Sequence, residues 1–159
     1  MSATVLIPDT EALVSAYLRA APELAALVGE RVYTAVPAKV GAAPFLLVQR
    51  IGGTPLFSRP LVLDEAELQL DAWGGTKRDA LTLMETARQL LVLMPGQHAL
   101  GVVSAVGFGA LRWQPDGTYE PPRPRYVADM SVWVKPSAAA LASPVAAETE
   151  AVPVSTAGR

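Results

Sequence analysis

The chain has no cysteine and a single histidine, His98. Without cysteine there can be no disulfide, thiolate metal site or cysteine nucleophile. One histidine leaves too few ligands for a zinc site and no partner set for a triad. His98 follows Pro95-Gly96, where a solvent-exposed loop residue is expected. Asparagine is absent and lysine is scarce beside arginine. The net charge of −2 provides no basic face for gripping a nucleic acid. No apolar run approaches the roughly 18 residues of a membrane span, and the first residues lack the pattern of a signal peptide. A cytosolic place of synthesis, no membrane contact and no cofactor are therefore expected.

About half of the residues are hydrophobic, enough for one domain with a real core in 159 residues. Asp9 can cap a helix whose apolar residues Ala12, Leu13, Ala16, Tyr17 and Ala20 recur at helical spacing. Pro22 suits the first turn of a second helix, which Gly29 ends. A short strand is expected over 31–36 and a buried one over 45–51, closed by Gly52-Gly53. Residues 54–64, with Pro55 and Pro60, read as a long and unusually apolar inter-strand loop.

Residues 65–73 alternate. Ala66, Leu68, Leu70 and Ala72 point to a dry face, and Glu65, Glu67, Gln69 and Asp71 to an acidic, wet one. Gly74-Gly75 turns into a helix capped by Thr76 and Asp79, with Ala80, Leu83, Met84, Ala87, Leu90, Leu91 and Met94 in its buried stripe. A strand over 101–113, bent at Gly107 and Gly109, and an alternating strand over 126–134 complete the domain. The fold class is α+β: a mostly antiparallel sheet packed by two main helices. Residues 1–136 form that domain. Residues 137–159, rich in alanine, serine and proline, read as a disordered or partner-ordered tail.

Candidate chemistry is thin. Gly74-Gly75-Thr76-Lys77 lacks the glycine spacing of a phosphate loop, and a capped helix start explains each of its residues. The row Glu65, Glu67, Gln69, Asp71 has three readings: a solvated strand face, a partial cation site, or an acidic wall along which a polyanion slides without sticking. The segment with Leu56, Phe57, Arg59, Leu61 and Val62 either folds onto the core or reaches a neighbouring subunit or partner as a contact arm.

The order and spacing of several short segments resemble the tail terminator (tail-completion) proteins of long-tailed bacteriophages. They are Ile7-Pro-Asp9, Tyr17-Leu-Arg19, Val28-Gly-Glu-Arg-Val-Tyr33, Pro37, Phe45-Leu-Leu-Val-Gln-Arg-Ile-Gly-Gly53, Asp64, Gln69-Leu-Asp-Ala-Trp73, the Ala80 helix, Trp113-Gln-Pro-Asp116 and Pro124-Arg-Tyr126. The resemblance spans about residues 5–136 and leaves out the alanine-rich tail. It implies a non-enzymatic virion protein, assembled in the host cytoplasm as a usually hexameric ring. The implied ring caps the head-proximal end of the tail tube, stops tube growth and meets the head–tail connector protein. Its implied partners are further copies of itself, the tail tube protein and that connector, with DNA passing through unbound. Glu65, Glu67, Gln69 and Asp71 are then candidates for the channel wall. Two alternatives stand beside this reading: a head–tail connector or stopper ring, and a small carboxylate-dependent hydrolase.

Overall fold

In the computed structural model the described residues are 7–58 and 61–137, so the tail expectation for 138–159 lies outside them. The chain order is α1 (Thr10–Ala20), α2 (Pro22–Val28), β1 (Val32–Tyr33), β2 (Phe45–Ser58), β3 (Leu61–Trp73), α3 (Lys77–Val92), β4 (Gly96–His98), β5 (Gly101–Trp113) and β6 (Arg125–Lys135). The strands form one sheet in the order β1-β2-β3-β6-β5-β4. Only the β1–β2 pair is parallel. The α+β class and the mostly antiparallel sheet are as expected.

Local chemistry starts each helix. The Asp9 carboxylate accepts the Ala12 N–H at 3.1 Å. Thr76 and Asp79 form a reciprocal capping box, each side chain taking the other's backbone N–H at 3.1 Å. Pro22 occupies the first turn of α2, where its missing N–H costs nothing. Gly74 lets the end of β3 come close to α3, because a Cβ there would collide with the Ala80 backbone nitrogen.

The helices cover one face of the sheet. Leu13, Val14 and Leu18 of α1 and Leu83, Met84, Ala87 and Leu91 of α3 pack on Leu46, Val48, Leu68, Leu70, Ala128, Met130, Val132 and Val134. Each fully buried leucine or valine there contributes roughly 1.5–3 kcal/mol relative to exposure. The other face carries no helix, and its one apolar cluster among the described residues is Phe45, Leu47 and Trp73 at the far end.

Two elements differ from expectation. His98 lies in β4, an edge strand, and is half-buried rather than in an exposed loop. Its Nε2 is 2.7 Å from the Met94 carbonyl, and its ring meets the edge of Tyr17 at 5.5 Å. Pro95-Gly96 makes this strand look like a turn because three residues are too few to show a period. The second difference is the segment 54–64, whose described residues 54–58 and 61–64 are strand and not loop.

The capping box generates a test. Thr76→Ala should lower unfolding free energy by about 1 kcal/mol in a denaturant titration, with the native spectrum unchanged.

Candidate functional site

β3 shows how a period-2 sequence makes two unlike surfaces. Ala66, Leu68, Leu70 and Ala72 are all fully buried under the helices. Glu65, Glu67, Gln69 and Asp71 lie on the uncovered face, but they are not equally wet. Glu67 is exposed, Glu65 and Gln69 are intermediate, and Asp71 is 2% exposed. The expectation of a uniformly solvated acidic row fails at Asp71.

The reason is what surrounds it. Asp71 sits opposite Leu47 on β2 and Val127 on β6. Trp73, one step further, stacks on Phe45 with ring centroids 4.4 Å apart. Arg125 lies over Trp73 and brings its Nη1 to 3.6 Å from Asp71. Gln69 donates to Asp71 at 2.8 Å. Burial pushes the Asp71 carboxyl above the usual range, and the Gln69 bond and the Arg125 and Arg112 charges only partly oppose it.

On β6 the same face presents Asp129, gripped by Arg112 of β5 through two bonds of 2.6 and 2.9 Å. That grip holds Asp129 below the usual carboxylate range. Among the described residues, Glu65 and Glu67 are thus the acids of this face without an ion pair. No group of His, Asp and Glu among the described residues suits a metal ion.

Beyond Glu65 the sheet narrows. β2 and β3 stay paired from Thr54↔Glu65 to Ser58↔Leu61, while the pairing of β3 with β6 stops at Asp64↔Val134. The tip is therefore a two-stranded ribbon reaching roughly 10 Å past the sheet at ~3.3 Å per residue. Leu56 pairs with Leu63 and Phe57 with Val62, so Leu56, Phe57, Leu61 and Val62 are ribbon residues. Arg59 lies outside the described residues. Two signals hid this strand. Pro55 is tolerated because β2 is unpaired on its outer side at that point. The bulge falls at Ile51, and Gly52-Gly53 continue the strand opposite Glu67 and Ala66 rather than ending it. Gly53 has φ 124° and passes so close to β3 that a Cβ would collide with the Glu65 carbonyl oxygen.

The root of the ribbon is clamped by charge. Arg50 makes a two-pronged bond to Asp64 at 2.6 and 2.8 Å, and Asp64 is 1% exposed. Arg50 Nε donates to the Gly52 carbonyl at 3.0 Å, and its backbone N–H donates to Glu11 of α1. Bonding to Asp64 raises the Arg50 guanidinium above its already high ordinary value. A cavity of about 470 Å³ beside the clamp is lined by residues that include Pro8, Thr10 and Glu11. Sequence reading missed this pair because a bulge and a supposed loop separate its members along the chain. The alternation of Asp64 with the buried Ala66 was the available signal.

At the opposite end, Trp73 Nε1 donates to Asp116 at 3.0 Å. Burial pushes the Asp116 carboxyl up, but bonds from Thr118 and Trp73 outweigh it and leave it below its ordinary value. Arg123 donates to the carbonyls of Gly41, Ala42 and Ala43 at 2.8–2.9 Å, fastening the linker before β2. Trp113 is 40% exposed with Lys77 over its ring, and Trp133 lies against Gly107.

The described residues thus give an α+β domain with one bare sheet face and a clamped projecting ribbon. Residues 12–135 match the family of tail completion protein gp17, and the chain belongs to that family. It is a structural component of a phage-like tail, and the virion is its setting. Among solved structures, the fold is similar to a chain of the "virion of native gene transfer agent (GTA) particle". The two are 19% identical, with a TM-score of 0.64 over 76% of this chain and 90% of that one. No curated protein matches the sequence.

The two buried acids should behave differently. Arg50→Ala leaves the Asp64 carboxylate buried without its partner, at a cost of roughly 3 kcal/mol at neutral pH. Asp64→Asn, which keeps the shape and removes the charge, should cost less in the same denaturant titration. For Asp71 the folded value is raised, so stability falls as pH climbs from the unfolded carboxylate value through the folded one. Asp71→Asn removes that fall. Its stability relative to the parent should therefore improve as pH rises from about 3 to about 7, the range that begins below the ordinary carboxylate value. A difference between variant and parent that stays constant across that range would contradict burial as the dominant influence on Asp71.

Proposed function

We propose that the protein forms a ring, of six copies in the family pattern, that caps the head-proximal end of the tail tube. In this reading the ring stops tube polymerisation and offers its other surface to the head–tail connector protein. The observation that carries the proposal is the match to tail completion proteins across the whole described sheet. The projecting ribbon supports it. Two strands beyond the last β6 pair are marginal in water by themselves and gain stability when a neighbour covers them. Leu56, Phe57, Leu61 and Val62, with Arg59 between them, supply the apolar composition of such a contact.

The uncovered face of β3 is assigned to the channel. Glu65 and Glu67 would there repel the DNA backbone weakly and keep the passing polyanion from adhering. In this reading the protein acts by contact and takes no cofactor. Residues 1–136 serve as the ring domain and 137–159 as an appendage to it.

The decisive experiment adds the protein to tail tube subunits as they polymerise. Tubes should become shorter and uniform, with extra density at one end in electron micrographs. If tube length is unaffected and the protein binds only the head connector, the capping role fails and a connector role replaces it. Replacing residues 56–63 by a two-residue Asn-Gly turn should leave the monomer folded and lower ring yield at least tenfold by light scattering. Rings of normal yield from that variant would remove the ribbon from the interface.

A further inference from the structure

The sheet ends in two unlike edges. At one side β4 pairs with only Gly101, Val102 and Val103 of β5. From residue 104 to 113 the outer edge of β5 has no strand beside it among the described residues. Its blunting is partial: register breaks interrupt it at two points, but the other devices are missing. There is no proline and no lysine, and its one charge, Arg112, is spent on Asp129. Ala105, Gly107, Gly109 and Ala110 leave its backbone open to close approach. Irregularities at 103/105 and 108/111 bracket a regular run over 105–108.

The opposite edge, β2, is blunted several times. β1 covers Leu46 and Leu47, Glu11 takes the N–H of Arg50, a bulge follows at Ile51, and Pro55 has no N–H at all. Two such edges pair poorly with each other. Yet β2 still presents Thr54, exposed, and Ile51, 55% exposed, beside a partly open backbone.

We propose that the open β5 edge of one copy pairs with the β2 edge of the next, so that the sheet continues from subunit to subunit. The proposal rests on the ring reading above and assigns its interface. β2, β3, β6 and β5 alternate in direction, so β2 and β5 run opposite ways. A ring whose axis follows the strands preserves direction from copy to copy. It therefore sets β5 against a neighbour's β2 in antiparallel pairing, the more stable arrangement. Because the contacting surfaces differ, the contact is heterologous, the kind that builds a ring when its rotation closes and not a two-fold dimer. The blunting of β2 then acts as selection: it rejects β2 against β2 and leaves β5 as its matching edge.

The absence of native cysteine makes the test clean. Ala105→Cys or Ala110→Cys on β5 is combined with Ile51→Cys or Thr54→Cys on β2, all at exposed positions. Under mild oxidation at least one double variant should give a ladder of covalent oligomers ending at the ring mass on a non-reducing gel. The four single variants should stay uncrosslinked. Rings seen by light scattering in which no pair crosslinks would overturn this interface while leaving the ring itself standing. Efficient dimers from Ala105→Cys or Ala110→Cys alone would overturn it in favour of β5 against β5. If the outward amides over 104–108, those that do not bond to β6, are already protected in dilute monomer, the edge belongs to another part of the same chain and the proposal is overturned. A protein that stays monomeric at all concentrations would sink the ring reading and this inference together.

Discussion

The strict alternation along β3 is the constraint on which the other surfaces depend. This strand pairs with β2 on one side and β6 on the other, so its register orients both. A slip of one residue would turn Ala66, Leu68, Leu70 and Ala72 out from under the helices and bury the carboxylates in their place. Four fully buried apolar residues against two unpaired glutamates make that slip prohibitive. The helices, the bare face and the direction of the ribbon follow from this one strand.

Much of that was legible in the chain. Residues 65–72 alternate strictly, 126–134 keep an apolar residue at every second position, and Thr76 with Asp79 announces a helix before its apolar stripe begins. Strong periods over many residues survive tertiary context. What failed were positions where a residue has two structural uses. Pro55 and Gly52-Gly53 are punctuation in most sequences, yet here they belong to an edge strand. Asp71 reads as a surface acid, and only the aromatic pair Phe45 and Trp73, brought together from distant segments, shows why it is buried. The sheet order was not legible at all. No local pattern states that β3 lies beside β6.

The Arg50–Asp64 pair shows how an unfavourable burial can still be useful. Enclosing a carboxylate costs several kcal/mol in general, and a well-packed apolar pair would often be as stable. The ion pair offers direction instead. Its two-pronged geometry, with Glu11 holding the Arg50 backbone, fixes the angle at which two strands leave a six-stranded sheet. An apolar contact at the same point would tolerate rotation. If the ribbon meets a partner as proposed, the exit angle matters more than the last kilocalorie of stability.

Charge on the bare face is graded along the strand direction. Near Trp73 the acids are matched: Asp71 lies under Arg125, and Asp129 is gripped by Arg112. Toward the ribbon, Glu65 and Glu67 remain unmatched. A matched pair projects little field, and an unmatched charge acts over about 8 Å at physiological ionic strength. If copies stand side by side around an axis along the strands, the matched end of the face is electrically quiet. The unmatched glutamates then fall at one level and repeat around the circle. Any repulsion toward a polyanion is confined to that level, next to the ribbon, while the aromatic end is left to hold the structure together.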